Sequence, residues 1–215
     1  MTGSRRRHAA SRLYLVLDRE ACAGRRLETV LRRALRGGVD AVQYRDKTCP
    51  SDKMVRQAKR LLAVTRPRGV PFLINDRLAV ALAVKADGIH LGQDDLPVAL
   101  ARRLLGKKAI IGLSCHSLAE IKKAQGLDVD YLGFGPVFAT GTKPGLKAKG
   151  VAALRQAARA SRKPVFAIGG ITRETLAALR GIDRLRIAVC RGLCRAKDPA
   201  RAARQLKLRL KGPTF

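Results

Sequence analysis

The sequence predicts a single-domain α/β protein built as a closed (β/α)8 TIM barrel. Eight short apolar runs alternate with longer segments in which apolar residues recur about every 3.6 positions, and no linker interrupts the alternation. The runs are nearly continuous, as in parallel strands that are buried on both faces. Because the strand-helix unit recurs and no G-x-G-x-x-G follows the first run, we favour this barrel over an open doubly wound sheet.

Each predicted element is defined by its apolar pattern. The predicted strands are Leu13 to Leu17, Val39 to Gln43, Val70 to Ile74, Gly88 to Leu91, Ile110 to Leu113, Tyr131 to Phe134, Val165 to Ile168 and Arg186 to Val189. Segments with helical periodicity include Leu27 to Arg36, Asp52 to Thr65, Val151 to Ala160, Thr172 to Arg180 and Pro199 to Leu210. Residues just after the strands of such a barrel share one face, so this order also predicts where a functional site lies.

The start of the chain is expected to lie outside the barrel. Residues 1–11 contain Arg5, Arg6 and Arg7 but lack the apolar segment that a secretory signal needs. We therefore expect a basic, disordered tail over residues 1–11, followed by one barrel domain over residues 12–215.

The net charge of the chain is strongly positive, since 45 Lys and Arg residues against 16 Asp and Glu residues give +29. Such a surface favours nucleic-acid or anionic-membrane contacts. However, basic residues recur in every helical segment, and 4% aromatic residues without tryptophan supply few platforms for base stacking. We expect no dedicated nucleic-acid partner and, without an apolar stretch long enough to cross a membrane, no membrane partner. A nonenzymatic nucleic-acid-binding barrel is the alternative from a different class.

Cysteine usage indicates a reducing compartment. The five cysteines are scattered and odd in number, and the sequence has no C-x-x-C pair. We therefore expect reduced thiols, a cytoplasmic location and no structural zinc site. The cysteines are Cys22, Cys49, Cys115, Cys190 and Cys194.

Two aspartates mark the candidate site. Asp76 follows the third predicted strand, and Asp95 follows the fourth. Carboxylates just past successive parallel strands converge on one rim of a barrel, where hard oxygen ligands suit a magnesium ion that bridges to substrate phosphates. The sequence therefore predicts Mg²⁺ as the cofactor and a small molecule carrying a diphosphate as a substrate.

Further polar residues follow other strands. The threonine, glycine and lysine loop after the sixth strand can grip phosphate oxygens and close over them. The glycine turn after the seventh strand can offer its amides to a second phosphate. Any one of these residues alone could be a helix cap or a turn former, so the prediction depends on their clustering. The clustered residues are Gln43, Tyr44, Arg45, Asp46, Lys47, Asn75, Ser114, Thr140, Gly141, Thr142, Lys143 and Gly170.

Several separated motifs together resemble the thiamine-phosphate synthase family, over a stretch from about Leu13 to Ala200. The resemblance implies a reaction in which hydroxymethylpyrimidine diphosphate and thiazole phosphate give thiamine phosphate and diphosphate. The motifs are Gln43-Tyr44-Arg45-Asp46-Lys47, Ile74-Asn75-Asp76, Ala86 to Asp95, Gly112-Leu113-Ser114, Gly133 to Lys143 and Ala167 to Ile171.

The same resemblance implies a role for each site residue. Asp76 and Asp95 would bind magnesium, while the catalytic residues would be Arg45, Lys47, Ser114 and Lys143. The pyrimidine diphosphate would be held by Gln43, Tyr44, Arg45, Asp46, Lys47, Asn75, Ser114 and Lys143. The thiazole phosphate would be held by Thr140, Gly141, Thr142, Gly170, Cys190 and Arg191. At Arg191 the chain departs from the small serine that the family commonly has.

The family is thought to react by loss of diphosphate to leave a pyrimidine carbocation, which the thiazole nitrogen captures, so no protein nucleophile is expected. His90 lies within the fourth strand and is expected to be structural. His116 follows the fifth strand, where related thiazole tautomerases on the same fold are expected to use a histidine for proton transfer. A thiazole phosphate tautomerase using His116 is therefore the alternative activity. The sequence leaves open whether the chain forms a homo-oligomer.

Overall fold

Eight parallel strands form a closed barrel, as predicted. The structure, a computed structural model, describes residues 3–141, 145 and 147–211. Every strand pairs with its neighbours in chain order, and the first strand also pairs with the last to close the barrel. The strands are β1 Leu13–Asp18, β2 Ala41–Arg45, β3 Phe72–Asn75, β4 Gly88–Leu91, β5 Ile110–Cys115, β6 Tyr131–Phe134, β7 Val165–Ile168 and β8 Arg186–Val189.

Helices follow the strands around the outside of the barrel, and one helix, α1, precedes the first strand. They are α1 Gly3–Ala10, α2 Leu27–Arg36, α3 Ser51–Thr65, α4 Leu78–Val84, α5 Val98–Leu105, α6 Leu118–Ala124, α7 Gly150–Ala160, α8 Arg191–Cys194 and α9 Pro199–Lys211. Short 3₁₀ turns cover Arg66–Arg68 and Thr175–Leu179. Of the helices described here, none is long and apolar enough to cross a membrane.

The segment predicted as a helix from Thr172 to Arg180 contains only the short 3₁₀ turn. The hydroxyl of Thr175 donates to the Gly170 carbonyl at 2.9 Å and accepts from the Thr172 amide at 2.8 Å, which fixes a tight turn. Gly181 then takes a φ of +74°, a conformation that ends helical structure. Local side-chain hydrogen bonds therefore override the helical periodicity here.

The barrel has two apolar layers because side chains alternate along each strand. On β1, Leu13, Leu15 and Leu17 pack in the larger core between strands and helices, whereas Tyr14 and Val16 belong to the inner cluster. The inner cluster consists of Tyr14, Val16, Ala41, Leu73, Ile110, Tyr131, Phe166 and Ala188. Side chains thus fill the lower barrel and leave its other end for a site.

Residues 3–10, which the sequence analysis placed in a disordered tail, form α1 and close the bottom of the barrel. The ring of His8 is 2% exposed and its centroid lies 4.4 Å from that of Tyr131 and 5.6 Å from that of Phe166. The side chain of Arg5 pairs with Asp130, at the amino-terminal end of β6. The apolar pattern could not reveal this helix, since a histidine ring and ion pairs hold it in place.

Candidate active site

A cavity opens at the carboxyl-terminal ends of the strands, where the sequence predicted a site. It encloses about 1200 Å³, counted out to its open mouth. The predicted residues that line it are Gln43, Arg45, Asn75, Ser114, Thr140, Gly141, Gly170, Cys190 and Arg191. Two further predicted residues, Thr142 and Lys143, lie outside the described part of the chain.

The carboxyls of Asp76 and Asp95 face each other at the rim of the barrel. Burial raises the pKa of Asp95, and a hydrogen bond with the Asp76 carboxyl raises it further. The ammonium group of Lys47 forms an ion pair with Asp76. Two adjacent carboxylates are a donor set that fits a magnesium ion completed by substrate phosphates and water. Among the residues the structure describes, no group of three or more His, Cys, Asp or Glu forms a metal cage.

The backbone holds Asp76 in an unusual conformation. Its φ of +58° lies in the left-handed region, which costs a residue with a Cβ about 1 kcal/mol. The Asp76 amide donates to the His90 carbonyl at 2.9 Å, which ties the end of β3 to β4. On the facing loop, Asp95 accepts a hydrogen bond from the Gly92 amide at 2.6 Å. Local backbone structure therefore fixes the main chain at Asp76 and the carboxyl of Asp95.

The residues at the end of β2 and just after it lie either in the cavity wall or in the layer behind it. Gln43 and Arg45 line the cavity, and Arg45 forms an ion pair with the buried Asp18. Tyr44 is fully buried on the opposite side of the strand, where its hydroxyl donates to Asp46 at 3.3 Å. Tyr44 and Asp46, which were predicted to bind substrate, thus lie behind the cavity wall and support the loop.

The Asp46 carboxyl is an anchor for that loop. It is 6% exposed and accepts from the Cys49 amide at 3.1 Å. Asp18 has the same function after β1, because it accepts from the Ala21 amide at 2.7 Å while holding the Arg45 guanidinium. These two carboxylates position basic side chains and backbone without reaching the cavity themselves.

A chain of hydrogen bonds runs from the barrel interior to the cavity. Gln43 Nε2 donates to the Tyr14 hydroxyl at 3.2 Å, and the Tyr14 and Tyr131 hydroxyls are 2.9 Å apart. The Tyr131 hydroxyl is 2.8 Å from Nδ1 of His90, and Nε2 of His90 is 2.9 Å from Oγ of Ser114. The structure thus gives His90 a place in the site, together with two tyrosines that the sequence analysis missed.

Only the first bond in this hydrogen-bond chain has a direction set by its atoms. The amide nitrogen of Gln43 can only donate, so the Tyr14 hydroxyl accepts from it. Each remaining hydroxyl or ring nitrogen can donate or accept. The hydrogen-bond chain therefore couples the protonated nitrogen of the His90 ring to the orientation of the Ser114 hydroxyl.

Two loops meet on the opposite side of the cavity. A Cβ on Gly170, whose φ is +63°, would lie 2.5 Å from the Ala139 carbonyl oxygen, so the turn after β7 packs directly on the loop after β6. A Cβ on Gly141 would lie 2.0 Å from Nη1 of Arg191, which places that guanidinium against the same loop. Backbone amides and one arginine thus surround a space that suits a phosphate.

His116 also lines the cavity. Its Nδ1 donates to the Gly135 carbonyl oxygen at 2.5 Å, and its backbone amide donates to Glu120 at 2.8 Å. The ring is therefore held at the wall with Nε2 unprotonated in the neutral form.

Comparisons with known proteins identify similar sequences. The profile of a family described as thiamine monophosphate synthase matches residues 13–193. A thiamine-phosphate synthase of Chloroflexus aurantiacus is 45% identical over 197 residues, covering 91% of each chain. One of Albidiferax ferrireducens is 46% identical over 199 residues, covering 92% of this chain and 91% of its own.

Comparison with solved structures finds a protein of related description and others with the same fold. A thiamine phosphate pyrophosphorylase from Pyrococcus furiosus superposes with a TM-score of 0.85 at 32% identity, covering 94% of this chain and 96% of its own. The KGPDC structure from Streptococcus mutans, at 15% identity and a TM-score of 0.68, shares the fold alone.

Proposed function

The chain belongs to the thiamine monophosphate synthase family, and on that premise we propose that it is the diphosphate-releasing transferase that makes thiamine phosphate. Its substrates would be 4-amino-2-methyl-5-hydroxymethylpyrimidine diphosphate and 4-methyl-5-(2-hydroxyethyl)thiazole phosphate. The observation that carries the proposal is the pair of facing carboxylates at the rim of a cavity lined by cationic and amide groups.

The diphosphate is proposed to bind at the rim near β2, β3 and β4. Asp76 and Asp95 would hold a magnesium ion, which when bound supplies positive charge to phosphate oxygens. Arg45 is held at the cavity wall by Asp18, and Lys47 lies beside Asp76, so both cations are close to the leaving group. Their charge stabilises the negative charge that builds on diphosphate as it departs.

The pyrimidine is proposed to lie deeper, against the hydrogen-bond chain. Ser114 lines the cavity with its hydroxyl held by His90, and this hydroxyl can orient a ring nitrogen or a phosphate oxygen. The bond between the methylene carbon and the diphosphate oxygen breaks, and the electron pair leaves with diphosphate. The electron-rich aminopyrimidine stabilises the resulting cation, so the reaction needs no protein nucleophile.

The thiazole phosphate is proposed to occupy the space between the β6, β7 and β8 loops. Thr140, Gly141, Gly170 and Arg191 surround that space, opposite the rim that bears the aspartates. Bound there, the thiazole nitrogen can attack the methylene carbon and form the new carbon-nitrogen bond. A cavity closed over both substrates also excludes water, which would otherwise capture the cation.

The experiment that tests the proposal is incubation of the purified protein with both substrates, with and without EDTA, followed by chromatography for thiamine phosphate. We expect product only when magnesium is present. Asp76→Asn and Asp95→Asn are expected to lower kcat by about 100-fold or more while leaving the circular dichroism spectrum unchanged, because each removes a charged ligand. Full activity of the double variant would contradict the proposal.

The same assay separates the alternative activity that uses His116. A tautomerase would rearrange the thiazole phosphate without the pyrimidine substrate and without metal. His116→Ala is expected to retain most of the synthase activity, since His116 forms the wall rather than the diphosphate site.

The proposed partners are these phosphorylated small molecules, with no dedicated nucleic-acid or membrane partner. We also propose a cytoplasmic location, because all five cysteines are free, as is usual for proteins in a reducing compartment.

A further inference from the structure

Cys22, from the start of the chain, meets Cys190 and Cys194, from near its end, beneath the cavity. Cys22 lies in the loop after β1, Cys190 follows β8, and Cys194 ends α8. Their loops are adjacent because β1 pairs with β8 when the barrel closes. Cys22 and Cys194 are completely buried, whereas Cys190 is half-buried and lines the cavity.

Cys194 is at the centre of this thiol cluster, which we define as Cys22, Cys190 and Cys194. As a thiol, Cys194 donates to the Val16 carbonyl oxygen at 3.5 Å. Hydrogen bonds donated by the Cys190 thiol and then the Cys22 thiol lower the pKa of Cys194. The same contact with Cys194, followed by burial, raises the pKa of Cys190. Cys194 is therefore the sulfur of the cluster in which thiolate character concentrates.

We propose that Cys190 and Cys194 are a redox-active pair that closes to a disulfide when a peroxide enters the cavity. The two residues lie on one helical turn, because the Cys194 amide donates to the Cys190 carbonyl at 2.9 Å. Residues four apart on such a turn have Cα atoms about 6 Å apart, within the Cα range of a disulfide. Their Cβ atoms are about 5–6 Å apart and must approach to about 4 Å, so closing the bond requires the backbone of the loop after β8 to move.

The chemistry balances with a peroxide as the oxidant. Ionised Cys194 takes the thiol proton from Cys190 as the Cys190 sulfur attacks one peroxide oxygen; the O–O bond breaks, and a sulfenic acid and hydroxide form. That hydroxide takes the proton back from Cys194 to give water. The Cys194 thiolate then attacks the Cys190 sulfur, forming the S–S bond and expelling a second hydroxide, which takes up the proton that Cys194 first released to solvent and gives water. Two thiols lose two electrons in total, and hydrogen peroxide becomes two molecules of water.

Access determines which sulfur reacts first. In the described part of the chain, Cys190 is the one cysteine among the cavity-lining residues, so a small oxidant reaches it from the substrate side. Cys194, just behind it, is suited to resolve the sulfenic acid. Cys22 touches the same sulfur but is completely buried, and it serves as the matched control.

The consequence for activity rests on the proposed function. Cys190 and Arg191 belong to the proposed thiazole phosphate site, so drawing the Cys190 sulfur onto Cys194 would displace the β8 loop from the phosphate. We expect peroxide to lower kcat/KM for the thiazole phosphate by about 100-fold, since small displacements of positioned groups have effects of that size. Dithiothreitol should restore it.

Peptide mapping of the full-length protein tests the pair directly. After peroxide treatment, blocking of free thiols and trypsin digestion without reductant, the peptide Ile187 to Arg191 should be linked to Gly192 to Arg195. A dominant link from Cys194 to the Cys22 peptide, or no link at peroxide levels that oxidise glutathione fully, would overturn the proposal.

Two variants test which cysteines form the disulfide. Cys194→Ser should block the disulfide and leave a sulfenic acid on Cys190 that dimedone labels, while Cys22→Ser should keep both the link and the reversible loss of activity. The absence of dimedone label on Cys190 in peroxide-treated Cys194→Ser would overturn the proposal. The mapping needs no turnover, so an inactive protein that still forms the link would contradict the proposed function and not the redox pair.

Discussion

At the scale of single residues, Ser114 is held in place by the hydrogen-bond chain behind it. Its hydroxyl contacts the His90 ring, and the other ring nitrogen of His90 contacts the Tyr131 hydroxyl. This hydrogen-bond chain places no new charge in the cavity, because burial raises the pKa of Tyr14 and Tyr131 and both phenols stay neutral. Its function is to position the Ser114 hydroxyl before the substrate arrives.

Tyr131→Phe tests this orientation. The change removes the hydroxyl that joins Tyr14 to His90, so the His90 ring loses the contact on the side opposite Ser114. We expect a loss of about 1–3 kcal/mol in the free energy of unfolding, because two buried polar groups lose a partner. We also expect a lower kcat, measured by steady-state kinetics.

Tyr14→Phe is the matched control for that variant. It deletes a hydroxyl from the same chain but leaves the contact between Tyr131 and His90 intact. Its stability should fall similarly, while kcat should fall less than in Tyr131→Phe. Equal kinetic losses in the two variants would show that the contact between Tyr131 and His90 has no influence of its own on Ser114.

The alternation of side chains along a strand explains one difference between the predicted site residues and those that line the cavity. Residues along a strand alternate between its two faces, so Gln43 and Arg45 share the cavity face while Tyr44 points to the helices. The motif after β2 resembles the family as a continuous stretch, and a continuous stretch does not distinguish the two faces. Applying the period of two to β2 would have separated these residues from the sequence alone.

At the scale of elements, the loops after β6 and β7 are locked together by a backbone contact. Gly170→Ala should disrupt it, because the new Cβ would meet the Ala139 carbonyl oxygen at 2.5 Å in a conformation that already disfavours a side chain. We expect KM for the thiazole phosphate to rise about 10-fold, with stability lowered by roughly 1–3 kcal/mol. Gly106→Ala is the matched control, since Gly106 also has positive φ, at +78°, but no atom lies within 4 Å of its Cβ position. A similar KM change in both variants would contradict the contact argument.

The helix α1 makes stability depend on pH through His8. Burial lowers the pKa of His8 from 6.5 to about 4, so the folded protein excludes a proton that the unfolded chain binds. The neutral state of buried His8 contributes about 3 kcal/mol to the free energy of unfolding above about pH 6.5. This contribution is lost as the pH falls from about 6.5 through about 4. Denaturant unfolding between pH 4 and pH 8 should show this loss.

His8→Leu provides the comparison for the pH measurement. A leucine can stay against Tyr131 and Phe166 but cannot take up a proton, so the variant should lose less stability between pH 6.5 and pH 4 than the parent does. The difference between the two proteins is the informative quantity, because other groups titrate in both. An identical pH dependence would show that the His8 ring is protonated, or exposed, in the folded protein.

At the scale of the whole molecule, the barrel was predictable and its closure at the bottom was not. Eight apolar runs with helical segments between them leave few alternatives for the fold, because parallel strands need covering helices. Closure by α1 depends on His8 entering an aromatic cluster and on Arg5 meeting Asp130, which are contacts between distant parts of the chain. The thiol cluster is of the same kind, since its members meet only because β1 lies next to β8.

The charge of +29 supports a last prediction, about polyanions. Basic side chains spread over the helices attract nucleic acid through counterion release and supply no means of reading bases. We expect binding to duplex DNA at low salt, without sequence preference, to weaken by about 1000-fold or more between about 50 and 200 mM salt. Fluorescence anisotropy with two unrelated DNA sequences of equal length measures this. Tight binding to one sequence that persists at the higher salt would instead favour a dedicated nucleic-acid site, because only contacts beyond the phosphates resist such screening.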